Sequence, residues 1–166
     1  MAITWAKEWQ QAQSLAISGI AIRRPPFKPL LSPSLIICCT DSAWKSDAEA
    51  GLGWIFKDAE DRIYTQGSMF LPHVSSPLMA EALATLIAMK VAIESTITQF
   101  SFASDSPSLV KALNSKIRPK ELHEILQDIL NLSSNFTCCS FNFIPRDNNR
   151  HVDALAKVAL VSSCTR

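Results

Sequence analysis

The amino-acid sequence predicts an α/β domain built on one five-stranded mixed sheet, three antiparallel strands followed by two parallel ones, with helices on both faces. Three observations carry that reading. Three strand-like runs after Ser34 are joined by short polar turns, and connections that short link antiparallel neighbours. Two later strand-like runs each follow a stretch of helical period, which is the crossover that a return to the same sheet requires. The chain is also 48% hydrophobic and only 19% charged, enough apolar material for a core and too much for a disordered chain.

The stretch from Leu35 to Phe56 organises the rest. Leu35–Thr40 is a short apolar run that stops on Asp41, and such a run reads as a strand buried on both faces. Ala50–Lys57 is the second strand, and Gly51 and Gly53 inside it suggest a paired strand whose backbone is approached closely by something else. The polar turn Asp58–Asp61 leads to a third strand, Arg62–Phe70. Ser76 is then a good N-cap and Pro77 a good first residue for a helix running to Glu94, apolar nearly all round and therefore largely buried. Glu81 is its one acid before Glu94. Leu78, Ala82, Ala84 and Thr85 around it offer no ion-pair partner, so this acid is expected to face a site.

Gln99–Asp105 alternates, with Phe100 and Phe102 on one face, and is the fourth strand, expected beside and parallel to the first. It too ends on a carboxylate. Ser106 and Pro107 open a short helix to Leu113. Pro119 begins another, in which Leu122, Ile125, Leu126, Ile129 and Leu130 form an apolar stripe and Glu121, Glu124 and Asp128 a solvated face. Thr137–Ile144 is the fifth strand, with Phe141 and Phe143 expected inward. Pro145–Asn149 is a tight loop. Asn149 is expected to cap a last helix that carries Val152, Ala156 and Ala159, with Asp153 in its first turn.

The domain proper is read as residues 34–162, preceded by an arm and proline-rich linker over 1–33 and followed by a tail at 163–166. The arm has Trp5 and Trp9 four apart at helical spacing, and Pro25, Pro26, Pro29 and Pro33 separate it from the core. Formal net charge is +1, which is not the basic excess of a dedicated nucleic-acid binder, so any such role rests on local geometry. Five cysteines, an odd number without Cys-x-x-Cys spacing, and the want of a secretory leader predict reduced thiols in an intracellular protein of the nucleus or cytoplasm. The four basic groups against Glu8 alone in the first forty residues also fit import into an organelle. No apolar stretch is long enough to span a bilayer, so no membrane partner is expected, and the domain is expected to be a monomer.

Four acids stand at informative places: Asp41 and Asp105 at strand ends, Glu81 in the long helix, and Asp153 opening the last helix. A helix packed over the sheet would bring them together. Carboxylates gathered in one pocket repel unless cations bind, and hard oxygen ligands select Mg2+ or Mn2+. Two such ions, roughly 3.5–4 Å apart, would clamp the attacking and leaving oxygens of a phosphodiester.

Thr40-Asp41-Ser42-Ala43-Trp44 with Gly51-x-Gly53, Ala80-Glu81-Ala82-Leu83-Ala84, Ser104-Asp105-Ser106 with Leu109-Val110, and Pro145-Arg146-Asp147-Asn148-Asn149 with Val152-Asp153-Ala154-Leu155-Ala156 together resemble the type 1 ribonuclease H domain. They are most similar to the variant common in plants at the end of non-LTR retrotransposon reverse transcriptases. The resemblance covers about Leu35 to Leu160. Each motif is weak alone, and four in family order are strong. What it implies is a ribonuclease H-like fold and a metal-dependent endonuclease that cuts the RNA strand of an RNA–DNA hybrid. Asp41, Glu81, Asp105 and Asp153 match the family's metal-binding acids, with Arg146 and Asn149 as auxiliary residues. Ser42, Ala43 and Ser106 are the candidate substrate contacts. Recognition would be of shape, through the RNA 2′-hydroxyls.

Three departures from the family pattern stand out. Ser42 occupies a position where the family commonly has Gly. The loop before Asp153 offers Arg146 in place of the mobile His of bacterial members, and His151, two residues from Asp153, should face elsewhere. There is no basic, Trp-rich insertion between the long helices to grip the DNA strand. The competing readings are a catalytically idle module of the same fold that binds nucleic acid or protein, another nuclease of the broad superfamily, and a scaffold built on the Trp5/Trp9 helix. A proofreading exonuclease would want Glu where Ala43 stands.

Overall fold

The computed structural model describes residues 35–163. The expected arm and proline linker over 1–33, and the tail beyond Ser163, lie outside the described residues.

The strands are β1 (Ile36–Lys45), β2 (Glu49–Lys57), β3 (Ile63–Leu71), β4 (Gln99–Ser104) and β5 (Cys138–Phe143). The helices are α1 (Pro77–Glu94), α2 (Pro107–Asn114), α3 (His123–Ser133) and α4 (Arg150–Ser162). One sheet runs in the order β3-β2-β1-β4-β5. β1, β2 and β3 are antiparallel neighbours, while β4 is parallel to β1 and β5 is parallel to β4. This is the mixed sheet that the sequence predicts.

β1 does not stop at Asp41, as the apolar run suggests. It continues to Lys45, because Asp41, Ser42, Ala43 and Trp44 pair with Gly53, Leu52, Gly51 and Ala50 of β2. What ends there is the other side. The last parallel pair between β1 and β4 is Thr40 with Ser104. Beyond it β1 has a partner on one edge only, and the sheet opens into a notch.

The larger core lies between the sheet and α1, α2 and α3. Phe56, Phe100 and Phe102 are fully buried in it, and Phe136 stacks on Phe100 with ring centroids 5.0 Å apart. α1 forms where expected: the Ser76 hydroxyl accepts the Met79 N–H at 3.1 Å, and Pro77 fills the first turn. Its residues from Ala82 to Met89 are buried without a break, because the sheet, α2 and α3 surround it. α3 is preceded by a single 3-10 turn, Lys120–Leu122, which brings Leu122 into the core in place of the helix start expected at Pro119. Phe143, expected inward, is 53% exposed. It is the last residue of an edge strand, past the shelter of α2, whereas Phe141 packs edge-on against Phe102 at 5.8 Å.

The opposite face carries α4 alone. A thin apolar layer of Cys39, Ile55, Ala103 and Val152 lies beneath it. Cys38 and Cys39 thus face opposite sides, as strand alternation requires. The two glycines of β2 set how closely α4 sits. A Cβ on Gly51 would run into the Ala156 carbonyl and come within 2.6 Å of the Leu160 nitrogen, and one on Gly53 would lie 2.8 Å from the Val152 carbonyl. The close approach read from Gly51 and Gly53 is therefore helix on sheet.

Gly51→Ala should force α4 off the sheet, since the obstructing atoms are backbone. Overpacking of this kind costs about 1–3 kcal/mol or more. A urea melt should show a lower midpoint with an unchanged slope, and a midpoint equal to wild type would refute this account of the interface.

Candidate metal centre at the sheet notch

The notch where β4 ends is lined by acids from three elements. Strand alternation directs Asp41 to the α4 side with Cys39, and Ser42 to the α1 side with Cys38. Asp105 follows the last residue of β4, in the bend before α2. Glu81 sits on α1, facing β1. One carboxylate oxygen from each of Asp41, Glu81 and Asp105 lies within 4.8 Å of the others. Asp41 is buried, at 5% exposure.

Neutral donors hold this triad. The Ser42 N–H donates to Asp41 Oδ1 at 2.8 Å, and the Ser42 hydroxyl donates to Glu81 Oε1 at 2.7 Å. Asn149 Nδ2 donates to the Thr40 carbonyl at 2.9 Å and to Asp105 Oδ1 at 3.3 Å. Asn149 stands at the start of α4, but its side chain makes no capping bond there. The expected cap is instead a tether. It reaches back to the last β1 residue paired with β4 and across to the acid that follows β4. The second oxygen of Glu81, Oε2, is buried and meets no donor among the described residues.

Burial and mutual repulsion shift these groups together. Asp41 is raised from 3.8 to about 6, first by burial and then by the Asp105 charge. Glu81 is raised from 4.5 to about 8, again first by burial and then by Asp41. Carboxylates in partial burial, one of them with an unanswered oxygen, form a donor set suited to a hard divalent cation. A hard divalent cation therefore fits the residues present.

The fourth expected acid is not in this cluster. Asp153, in the first turn of α4, accepts from Lys157 Nζ at 2.6 Å. It is near enough to add to the upward shift of Asp41, though as one of the smaller causes. Arg146 is exposed at the start of the 3-10 turn Arg146–Asn149. Ala43 pairs with Gly51 one residue beyond Ser42. Ser106 caps α2 through the Leu109 N–H at 3.4 Å. His151 lines a shallow cavity of about 180 Å³ with Cys39, Ile55, Lys57, Asp61 and Val152 among its neighbours, and none of Asp41, Glu81, Asp105 and Asp153 lines it. Two roles were not visible in the sequence, the Ser42–Glu81 bond and the Asn149 tether. Alternation along β1 was the available signal for the first. Nothing local marks an Asn as tether rather than cap.

A profile of the reverse transcriptase-like family matches residues 39–159. No curated protein matches the sequence. Among solved structures, RNase H1 of the halophilic archaeon Halobacterium salinarum superposes with a TM-score of 0.72 at 22% identity, over 76% of this chain and 98% of that one. An RNase H1 isolated from compost, solved in complex with an RNA/DNA hybrid, gives 0.70 at 20% identity over 78% and 99%. The N-terminal RNase H domain of a Mycobacterium tuberculosis protein gives 0.71 at 18% identity over 80% and 97%. At such identities the likeness is one of fold, and it is the ribonuclease H fold. With the family profile spanning most of the sequence and both acid-bearing strands, the chain belongs to the reverse transcriptase-like family.

Proposed function

We propose that this protein is a metal-dependent endonuclease that hydrolyses the RNA strand of RNA–DNA hybrids. The observation that carries the reading is the triad Asp41, Glu81 and Asp105, with Asp41 buried and the other two half-buried, held by neutral donors and leaving the buried Glu81 Oε2 without one. The hybrid bound to the compost RNase H1 supports the substrate class. Kinship with the plant variant of non-LTR retroelements belongs to the same proposal and rests on the sequence motifs. So does action as an intracellular monomer. Among the described residues no helix is long and apolar enough to cross a membrane.

Divalent ions, two on this reading, would polarise the scissile phosphate and make bound water a nucleophile near neutral pH. The side chains prepare the place for them. Asp41 and Asp105 present converging oxygens from the point where the β1–β4 pairing ends, so little ordering is left to be done on binding. Asn149 restricts Asp105 to one orientation. Asp153 would join from α4 by releasing Lys157, which links its contribution to substrate or ion binding. Arg146, on the exposed start of the same turn as Asn149, is the proposed aid to turnover. Ala43 and Ser106 flank the acids as proposed substrate contacts.

A second reading has its own observation. Asp153 is already paired with Lys157 and stands outside the triad, as in a domain that binds hybrid without cutting it. The two separate on a labelled RNA–DNA hybrid with Mg2+ or Mn2+, beside single-stranded RNA and duplex DNA. Wild type should cut only the RNA of the hybrid, and Asp41→Asn or Asp105→Asn should abolish cleavage. Asp153→Asn should hurt less, and Arg146→Ala should slow turnover while sparing metal binding. Hybrid bound but uncut by wild type would establish the idle module.

The raised carboxyls also fix how stability follows pH. Between the ordinary values of 3.8 and 4.5 and the folded values of about 6 and about 8, the metal-free folded protein holds more protons at Asp41 and Glu81 than the unfolded chain does. Their contribution is therefore fully present below about pH 4 and is lost as pH rises through about 6 to 8. In EDTA, Tm should fall from pH 5 to pH 8.5. Mg2+ or Mn2+ should restore it at pH 8.5 more than at pH 5, by mass action on the deprotonated site. Glu81→Gln should flatten the slope. A metal-free Tm that rises over this range in wild type, as in Glu81→Gln, would contradict the charge state assigned to the triad.

A further inference from the structure

We propose that Ser42 is a positioning residue for the metal centre, fixing Glu81 through its hydroxyl so that the glutamate offers a single, pre-aimed oxygen. The inference rests on the metal-dependent reading above and revises the expected role of Ser42 as a substrate contact.

Residue 42 has two hydrogen-bond donors, and both are spent on acids. The backbone N–H goes to Asp41 Oδ1 at 2.8 Å and the hydroxyl to Glu81 Oε1 at 2.7 Å. A phosphate offers only acceptors, so a serine with no free donor is poorly suited to hold one. Its geometry suits another task. The two oxygens of a free glutamate are equivalent, and the side chain exchanges them by rotation. The bond to Ser42 removes that equivalence. Oε1 is anchored to β1, and Oε2 is left buried without a donor. The bond also joins the two elements that carry the triad's first two members, since Ser42 belongs to β1 and Glu81 to α1. A Gly or Ala at this position supplies the same backbone N–H to Asp41 and no hydroxyl to Glu81. The metal would then have to order Glu81 itself, and the entropy of that step would appear as weaker binding.

The test is Mn2+ binding to the full chain, read by calorimetry or by the paramagnetic resonance of free Mn2+, for wild type, Ser42→Ala, Ser42→Gly, Ser42→Thr and Asp41→Asn. Ser42→Ala and Ser42→Gly should bind about tenfold more weakly, equal to ~1.4 kcal/mol. Their metal-free melts should remain cooperative, and Ser42→Gly keeps the measurement available if one variant folds poorly. Ser42→Thr keeps the hydroxyl and should recover most of the affinity. On hybrid, the Ala and Gly variants should need more metal for half-maximal cleavage, with the deficit shrinking as metal nears saturation. Equal Mn2+ affinity in wild type and Ser42→Ala, or failure of Ser42→Thr to recover it, would overturn the positioning role while leaving the metal centre standing. No Mn2+ binding by wild type, at the level of Asp41→Asn, would overturn the metal-dependent reading and this inference with it.

Discussion

Everything at the site follows from where one strand pairing stops. β1 and β4 are parallel partners as far as Thr40 and Ser104, and no further. Parallel strands advance together, so the next residue on each, Asp41 and Asp105, emerges at the same level of the sheet. β1 keeps its antiparallel partner β2 beyond that point, so Asp41 is held by a continuing hairpin while its other flank is open. Were β4 longer, the notch would be filled by backbone. Were β1 shorter, Asp41 would sit on a mobile turn. The unequal lengths of two neighbouring strands bring the acids together where the pairing ends.

Charge then becomes the quantity to be managed. Three carboxylates in partial burial oppose the folded state, and the fold answers with neutral donors around them. Ser42 serves Asp41 and Glu81, and Asn149 serves Asp105. Neutral donors order the acids without cancelling their charge. A lysine or arginine in the same place would relieve the repulsion and remove the attraction for a cation. The upward shifts of Asp41 and Glu81 express repulsion that metal binding is positioned to release.

The sheet was legible because its signals are local. Apolar runs, short polar turns and the Ser76-Pro77 and Ser106-Pro107 helix starts each carry their own physics, and the structure keeps them. The three central acids were legible because a carboxylate at the end of an apolar run, or on an apolar helix, has no other obvious reason to be there. Strand ends were harder. The end of β1 depends on pairing with β2, and polar Ser42 and Lys45 look like a turn until Leu52 and Glu49 are seen opposite them. The exposure of Phe143 depends on β5 being an edge, which alternation within the strand cannot reveal. The Asn149 tether spans more than a hundred residues of sequence. Long-range side-chain bonds of that kind leave no local pattern.

The least expected dependence is between glycine and the fourth acid. Gly53 is the β2 residue paired with Asp41. On the face of the sheet that carries the Asp41 side chain, the Val152 carbonyl lies over Gly53, close enough that a Cβ would be 2.8 Å away. Asp153 is the next residue along α4. A bare backbone at position 53 therefore sets the distance at which the start of α4 passes the triad, and so whether the Asp153 charge is felt at Asp41 at all. Burial and the Asp105 charge come before the Asp153 charge among the causes that raise Asp41. The packing of α4 and the chemistry of the notch are thus one constraint. Gly53 has to remain without a side chain for Asp153 to stay within range, and Lys157 one turn on decides whether that carboxylate is engaged or released.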